Sequence, residues 1–229
     1  MTLLSVFKSN GPTGFGYSST AEDVAKDLSL TGKVILVTGC TSGLGEETCR
    51  VLSLRGALVL GTARTQEAAT KARAKLPNKG MGYACELSDP TSVKNCILQI
   101  KRDGHRLDAI ICNAGIMALP ALQQAHGYEL QFFTNHIGHF MLVTGLLDVL
   151  SDTGRVVMLS SSAHAQAPKA GIQFDNLSGE RGYRPWGNYG QSKLANLLFA
   201  KELQRRFAGS NQTAYAVHPG VFEPILPEA

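Results

Sequence analysis

From residue 33 onward, short apolar runs alternate with longer amphipathic stretches, and this alternation limits the fold more than any other feature of the sequence. Several of the short runs are nearly continuously apolar, as expected of strands covered on both faces. The stretches between them carry apolar residues three and four apart, which predicts helices. Strand–helix–strand repeats require right-handed crossovers and a parallel sheet. The sequence therefore predicts an α/β fold with a doubly wound parallel sheet in three αβα layers.

The predicted elements cover most of the chain. Strands are expected at 34–38, 57–62, 80–85, 108–112, 155–160 and 213–217. Helices are expected at 45–55, 66–76, 90–101, 128–150 and 187–207. Residues 1–29 are interpreted as an arm with a short helix that starts at the capping-box pattern Thr20 to Asp23. With no linker after it, residues 30–229 are expected to form a single nucleotide-binding and catalytic domain.

Composition excludes several functional classes. The chain has 229 residues, of which 44% are hydrophobic and 17% charged, so it is long and apolar enough to bury a core. Its net charge of +4 is spread along the sequence, which argues against nucleic acid as a partner. The five cysteines have no CxxC spacing and indicate reduced, buried thiols rather than a disulfide framework or a metal site.

Targeting signals are weak. No apolar run reaches the roughly 18 to 20 residues that a membrane crossing needs, so no integral membrane segment is expected. The first 20 residues lack a secretory signal pattern, and the expected compartment is the cytoplasm. Their shortage of acidic residues leaves a plastid or another organelle, with peripheral membrane attachment, as the alternative.

A glycine-rich loop joins the first strand to the first long helix and predicts a phosphate site. Gly39 permits a sharp turn off the strand, Gly43 lets the backbone approach a pyrophosphate, and Gly45 lets the helix pack closely on the sheet. The alternative is a tight strand-to-helix turn with no ligand. The loop residues expected to contact a cofactor are Gly39, Thr41, Ser42, Gly43, Leu44 and Gly45.

The end of the second strand indicates which dinucleotide binds. An NAD site usually has an acidic residue there for the ribose 2′-hydroxyl, but this sequence has Arg64. A guanidinium pairs well with a 2′-phosphate, which favours NADP(H). A solvated loop arginine is the alternative. Glu86 and Leu87 follow the third strand and are candidates for the adenine end, although Glu86 could equally be a plain exposed carboxylate.

The second half of the chain carries residues suited to proton transfer. Tyr189 and Lys193 are four apart and therefore share one face of a helix. A nearby ammonium is expected to lower the pKa of the phenol toward working pH. Both residues could also be ordinary helix-surface side chains. Two other strands end in motifs that lie where ligands of a doubly wound sheet bind. Asn113-Ala114-Gly115 ends the fourth strand and is expected to contact the cofactor, whereas Ser160, Ser161 and Ser162 end the fifth strand, and their hydroxyls can hold a substrate oxygen.

Taken in order, these motifs, with Asn135 and Pro219-Gly220, resemble the short-chain dehydrogenase/reductase family over residues 30 to 221. The sequences around Asn135, the serine run and His218 are similar to the branch of retinol dehydrogenases, the WW-domain-containing oxidoreductase and plastid translocon-associated dehydrogenases. The resemblance implies a Rossmann fold. It also implies Tyr189 as general acid/base, and Lys193 as the partner that lowers the Tyr189 pKa and binds the nicotinamide ribose, so both residues would contact the cofactor. Ser161 would orient the reacting oxygen, with Ser160 and Ser162 possible by register, and Asn135 would support a water relay to Lys193. Pro219 and Gly220 would contact the cofactor.

Four departures from the family pattern modify the expectation. Ser161 and Tyr189 are 28 positions apart, so residues 163–188 are interpreted as an insertion that forms either an apolar wall over the substrate or a packed surface loop. Pro224 stands where the family has a threonine near the nicotinamide, and Glu86 stands where an aspartate is usual. The family's C-terminal lid, following helix and last strand are expected to be missing or replaced.

The predicted function is hydride transfer between NADP(H) and a small lipophilic carbonyl or alcohol of retinoid, steroid or quinone type. The alternative is a sensor or scaffold that binds NADP(H) with little or no turnover. Family members often pair through helices that match 128–150 and 187–207, so a homodimer is one expectation for the assembly.

Overall fold

The computed structural model describes residues 12–16, 18–78 and 80–220. Eight strands form in this part of the chain, and six of them build one parallel sheet in the order β3-β2-β1-β4-β7-β8. The strands are β1 (Val34–Thr38), β2 (Leu58–Ala63), β3 (Gly80–Ala84), β4 (Leu107–Cys112), β5 (Gln124–Ala125), β6 (Tyr128–Glu129), β7 (Leu150–Leu159) and β8 (Thr213–Val217).

The chain reverses its direction across the sheet between β1 and β4. From β1 it moves outward through β2 to β3, and then crosses back to add β4, β7 and β8 on the other side. A ligand of a doubly wound sheet binds at this switch point, at the carboxyl ends of the strands. The order therefore places the end of β1 and the end of β4 at the centre of the expected site.

Seven helices cover the sheet in the described part of the chain, and most begin at a residue suited to cap them. They are α1 (Ala21–Ala25), α2 (Gly43–Leu54), α3 (Gln66–Ala74), α4 (Pro90–Arg102), α5 (Leu130–Phe132), α6 (Gly138–Leu146) and α7 (Pro185–Arg206). Thr20 and Asp23 form the predicted capping box of α1. The Asp89 carboxylate accepts from the Thr91 amide at the start of α4, where Pro90 is the first residue.

Two hydrophobic layers confirm the three-layer αβα prediction. Neighbouring residues of β1 point to opposite faces of the sheet. Leu36 packs in the layer covered by α4, α6 and α7, whereas Val37 packs in the layer covered by α2 and α3. All five cysteines are buried as free thiols, as predicted. Among the described residues, no helix combines the length and the apolar character required to cross a bilayer.

The prediction of one continuous helix over 128–150 is wrong. Residues Tyr128–Glu129 pair with β5 in a short hairpin that turns at Gly127. The Glu129 carboxylate then accepts from the Phe132 amide and starts α5. A π turn over Phe133–Ile137 separates α5 from α6, and a 3₁₀ turn follows α6 before the chain enters β7 at Leu150.

Of three further predictions from the sequence, one is corrected by the structure and two stay predictions. Strand β7 begins before the predicted residue 155, and its pairing with β4 shifts register between Leu107 and Ala109. The expectation about Pro224 and the rest of the tail falls on residues outside those that the structure describes. The division into an arm over 1–29 and a domain over 30–229 stays a prediction.

Candidate active site

A cleft of about 1070 Å³ opens at the carboxyl ends of the sheet strands. It brings together most of the residues that the sequence predicts for a cofactor site. Those lining it are Gly39, Thr41, Ser42, Leu44, Gly45, Arg64, Glu86, Leu87, Asn113, Ala114, Gly115, Tyr189, Lys193 and Pro219. Of the remaining predicted residues, Gly43, Asn135, Ser161 and Gly220 do not line the cleft.

The glycine loop fits the role predicted for it. Gly39 and Gly43 have φ angles of +73° and +56°, which favour glycine. A Cβ at Gly45 would lie 2.0 Å from the Gly39 carbonyl oxygen and 2.5 Å from Asn113 Nδ2, so α2 can start against the end of β1 only through glycine. No side chain caps α2 at Ser42, so the amides of its first turn remain available. This cradle fits a dinucleotide pyrophosphate.

Arg64 and Glu86 both line the cleft, but they differ in their hydrogen-bond and ion-pair partners. Arg64 follows β2, is exposed, and has no carboxylate paired with it among the residues described. The Glu86 carboxylate instead accepts from the backbone amide of Ser88 at 3.1 Å and from its hydroxyl at 2.8 Å. Glu86 therefore shapes the turn before α4, and its contact with an adenine stays a prediction.

The ends of β1 and β4 are joined under the cleft. The Thr38 hydroxyl accepts from the amides of Asn113 at 2.9 Å and Ala114 at 3.0 Å. The Asn113 side chain donates in turn to the Thr38 carbonyl oxygen at 2.9 Å. These bonds fix the floor formed by residues 113–115. We call this group of Thr38, Asn113 and Ala114 the strand clamp.

Lys193 lies deep beside Tyr189 on α7. Its side chain is buried, with the residue 5% exposed, and Nζ donates to the Leu159 carbonyl oxygen at 3.0 Å. Nζ also lies 5.6 Å from the centroid of the Tyr189 ring, within cation–π range. Burial lowers the pKa of Lys193 to about 8. The predicted pair is thus assembled at one wall of the cleft.

The direction of the Tyr189 pKa differs from the sequence prediction. Burial raises the pKa of Tyr189, and only a hydrogen bond with the Ser161 side chain acts in the opposite direction. Lys193 Nζ donates to the Leu159 carbonyl oxygen and lies over the ring, and it contributes no lowering of the Tyr189 pKa. The predicted proximity is present, and the predicted electrostatic effect is absent from this arrangement.

The structure distinguishes the three serines after β7. Ser160 is buried and donates to the Lys193 carbonyl oxygen at 2.8 Å, so it ties β7 to α7. The Ser161 hydroxyl accepts from the Ala163 amide at 3.2 Å, and the Ser161 side chain acts to lower the pKa of Tyr189. Ser162 is exposed. The role of Ser161 as the serine that orients the reacting oxygen stays a prediction.

Asn135 is fully buried on the π turn. Its Oδ1 accepts from the Ile116 amide at 2.8 Å, and its Nδ2 donates to the Ile116 carbonyl oxygen at 2.9 Å. Nδ2 also donates to the Ser192 hydroxyl at 3.0 Å, and that hydroxyl donates to the Tyr189 carbonyl oxygen at 2.7 Å. Asn135 thus holds the chain after β4 against the helix that carries Tyr189.

The insertion over 163–188 partly packs and partly remains open. The Tyr183 hydroxyl donates to the Leu119 carbonyl oxygen at 2.6 Å, which anchors the segment. Phe174 is 79% exposed. Trp186 is 49% exposed and meets Tyr189 edge-on, with 6.0 Å between ring centroids. Tyr183 thus belongs to a packed part of the segment, and the apolar wall over a substrate stays a prediction.

Sequence reasoning missed three residues that organise the site: Thr38, Ser192 and His139. Thr38 stands before the first glycine of the loop, and Ser192 stands between Tyr189 and Lys193, so their positions were a usable signal. His139 follows Asn135 by four residues on the same helical segment, a spacing that brings two side chains to one face.

Comparison with known proteins identifies the class of protein to which this fold and cleft belong. A family model described as short chain dehydrogenase matches residues 33–226. The chain is 40% identical to the chloroplastic short-chain dehydrogenase TIC 32 B of Brassica napus, over 94% of this chain and 72% of that protein. It is 40% identical to retinol dehydrogenase 12 of Mus musculus, over 85% of this chain and 63% of that protein. The chain belongs to the short-chain dehydrogenase/reductase family.

Solved structures agree on the fold. A protein from Mycobacterium paratuberculosis superposes with a TM-score of 0.76 at 40% identity, covering 86% of this chain and 71% of the other. A short-chain dehydrogenase from Burkholderia cenocepacia, solved in complex with NADP, superposes with a TM-score of 0.70 at 23% identity, covering 86% of this chain and 78% of the other. At that identity the second likeness shows the fold alone.

Proposed function

We propose that the protein is an NADP(H)-dependent oxidoreductase that interconverts a lipophilic carbonyl compound and its alcohol. The observation that carries the proposal is the single cleft that holds the glycine loop, Arg64, Tyr189 and Lys193 together. A bound nicotinamide would supply or accept the hydride at its C4 position. The amides at the start of α2 would hold the pyrophosphate, and residues 113–115 would form the floor beneath the dinucleotide.

The preference for NADP(H) rests on Arg64. Its guanidinium is exposed at the end of β2, lines the cleft, and is paired with no carboxylate of the described residues. A 2′-phosphate at that end of the cleft would form charge-assisted hydrogen bonds with it. No acidic residue stands at the end of β2 to hold the 2′-hydroxyl of NAD(H).

Tyr189 is the proposed catalytic acid and base. For reduction, the Tyr189 hydroxyl donates its proton to the substrate oxygen and becomes a phenolate; for oxidation, the phenolate takes the proton back. The Ser161 hydroxyl holds the same oxygen. Lys193, which lies beside the ring, holds the nicotinamide ribose in this proposal. Because the pKa of Tyr189 is raised in this arrangement, the neutral phenol is the dominant form, which suits proton donation in the reductive direction.

Apolar surface around the reacting end of the cleft supports a lipophilic substrate. Met117 lines the cleft with 56% of the residue exposed, and Ile116 and Leu130 lie beside it. Trp186 presents a half-exposed indole next to Tyr189. Retinol dehydrogenases are among the relatives, and their names specify a polyene alcohol. Apolar side chains that frame a few polar groups are typical of sites for such molecules.

A binding measurement tests the cofactor part of the proposal. NADPH and NADH are titrated in parallel by fluorescence against the wild-type chain, Arg64→Gln and the control Arg102→Gln. Arg102 is an exposed arginine on α4 that does not line the cleft. We expect wild type and the control to prefer NADPH at least tenfold, about 1.4 kcal/mol, and Arg64→Gln to lose that preference. Equal affinity of wild type for both cofactors would contradict the role of Arg64.

Turnover separates the enzyme from the alternative function. NADPH oxidation is followed with a panel of lipophilic aldehydes, ketones and quinones. Turnover with any of them supports the oxidoreductase. Saturable NADPH binding without turnover across the panel would favour the sensor or scaffold.

The proposal also includes the oligomeric state and the cellular compartment. Phe140 on α6 and Leu198 on α7 are both exposed apolar side chains on the helices expected to pair, which supports a homodimer. Light scattering coupled to size-exclusion chromatography gives the mass.

We propose the cytoplasm as the compartment, with plastid or other organelle, peripheral to a membrane, as the alternative. The name of the Brassica napus relative supports that alternative, and a fluorescent fusion viewed in cells decides between them.

A further inference from the structure

His139 is a fully buried histidine that the proposed chemistry does not use, and both of its ring nitrogens are engaged. Nδ1 lies 2.9 Å from the Asn135 carbonyl oxygen, and Nε2 lies 2.8 Å from the Thr38 hydroxyl oxygen. Thr38 belongs to the strand clamp under the cofactor cleft. Asn135 belongs to the group that holds the helix of Tyr189. The histidine is the one side chain in these hydrogen bonds that touches both groups.

The partners of His139 permit one arrangement of protons. A carbonyl oxygen only accepts, so Nδ1 must carry a proton and donate to Asn135. The Thr38 hydroxyl has two lone pairs, and both are used by the amides of Asn113 and Ala114. That hydroxyl must therefore donate its proton, and Nε2 must accept it. The ring is consequently neutral, with its hydrogen on Nδ1.

Two sets of hydrogen bonds, joined covalently through Asn135, then connect the cofactor floor with the helix that carries Tyr189. The amides of the strand clamp donate to Thr38, Thr38 donates to His139, and His139 donates to the Asn135 carbonyl oxygen. The Asn135 side chain donates to Ser192, and Ser192 donates to the Tyr189 carbonyl oxygen. The Thr38 hydroxyl, His139 Nδ1–H and the Ser192 hydroxyl each have one acceptor, so the direction of these three bonds is fixed.

We propose that His139 is a positioning residue that sets the strand clamp under the cofactor through Nε2 and the Asn135–Ser192–Tyr189 group through Nδ1–H. The inference rests on the proposed function, because the two ends matter only if cofactor and substrate react between them. His139 touches neither reactant. Its two nitrogens serve two different steps, cofactor binding and turnover.

Two substitutions separate the two nitrogens. In His139→Asn, the short amide can replace Nδ1–H as the donor to the Asn135 carbonyl, but it cannot reach Thr38. In His139→Gln, the longer amide can reach Thr38 and accept from its hydroxyl, but it leaves the Asn135 carbonyl without that donor. His136→Gln is the matched control, because His136 lies on the same helical segment and bonds Asn196 instead.

The proposal predicts a split between two readouts. His139→Asn weakens NADPH binding at least tenfold and changes turnover at saturating NADPH less than threefold. His139→Gln lowers turnover at saturating NADPH at least tenfold and changes NADPH affinity less than threefold. The control changes both less than threefold. If the two His139 variants lose affinity and turnover in parallel with a falling Tm, the residue is only a core histidine and the proposal is wrong.

A spectroscopic measurement tests the arrangement without turnover. Long-range ¹H–¹⁵N correlation spectra of the wild-type chain at pH 7 are expected to show His139 with a protonated Nδ1 and an unprotonated Nε2. A protonated Nε2 would overturn the proposal. A wild-type chain that shows the expected tautomer but neither binds NADPH nor turns over would refute the proposed function, while the hydrogen-bond arrangement itself would stand.

Discussion

Replacing Gly45 by alanine is the sharpest steric test of the cofactor site. The added Cβ would lie 2.0 Å from the Gly39 carbonyl oxygen and 2.5 Å from Asn113 Nδ2, and both neighbours are held in place at the centre of the sheet. To reach an ordinary contact the start of α2 must move away by roughly 1.4 Å, at a cost of about 1–3 kcal/mol of folding free energy.

That displacement removes the amides of α2 from the pyrophosphate. A hydrogen bond to a charged group contributes about 1.5–3 kcal/mol, so the loss of one such bond weakens binding by about 10- to 100-fold. We expect Gly45→Ala to bind NADPH about 100-fold more weakly in a fluorescence titration. Thermal denaturation followed by circular dichroism confirms that the variant remains folded.

Gly145→Ala is the matched control for this substitution. Gly145 also lies in a helix, and a Cβ there would meet the end of a flexible side chain, Ile97 Cδ1, at 2.6 Å. Ile97 can rotate away, so we expect NADPH affinity to be unchanged. If Gly45→Ala binds NADPH within threefold of wild type while Gly145→Ala does the same, the argument from close approach is refuted.

Two further predictions concern substrate size and pH. Trp186→Ala is expected to lower kcat/KM about tenfold for a bulky ring or polyene carbonyl, which is about 1.4 kcal/mol. Its kcat/KM for a three-carbon aldehyde should not change, and Trp186→Phe should be nearly normal with both substrates. Equal losses of kcat/KM for the two substrates would contradict a substrate wall. Burial, with smaller contributions from Lys193 and His136, lowers the pKa of His139 to about 4 from 6.5. The contribution of His139 to the free energy of unfolding should therefore be fully present above pH 6.5 and should decrease by about 3 kcal/mol as the pH falls from 6.5 to 4. Urea unfolding from pH 4 to 7 should show this slope in wild type, and an equal slope in His139→Gln would assign it to other groups.

The strands and the glycine loop could be predicted because local pattern and tertiary role coincide there. β1 over Val34–Thr38 and β8 over Thr213–Val217 match their predicted bounds, since continuously apolar runs leave little choice of register. Gly39, Gly43 and Gly45 each meet a backbone requirement that only glycine satisfies easily. Fold class and phosphate cradle follow from these features.

The helix over 128–150 could not be predicted in detail, because its interruptions depend on distant partners. Glu129 is buried, its amide donates to the Leu177 carbonyl oxygen in the insertion, and its carboxylate starts α5. The π turn over Phe133–Ile137 places Asn135 against Ile116 and Ser192. Helical periodicity in the sequence is nearly the same with or without such a turn.

The remaining differences between the predicted and the observed site depend on the surroundings of each side chain. Tyr189 and Lys193 share a helix face as their spacing predicts, but burial sets the pKa of each side chain. The serine run contains three hydroxyls, and the structure distinguishes them: Ser160 is buried against α7, Ser161 caps the 3₁₀ turn after β7, and Ser162 is exposed. Neither burial nor the direction of a hydroxyl can be obtained from spacing along the chain.

The most direct test of the central claim is turnover by Tyr189→Phe. Steady-state NADPH oxidation with a lipophilic carbonyl is compared between wild type and the variant, with NADPH affinity measured on the same preparations. Removing one hydroxyl from a ring that keeps its packing against Trp186 and Lys193 should abolish turnover and leave NADPH affinity within threefold of wild type. Retained turnover in the variant would show that Tyr189 does not move the proton, and the proposed chemistry would be wrong.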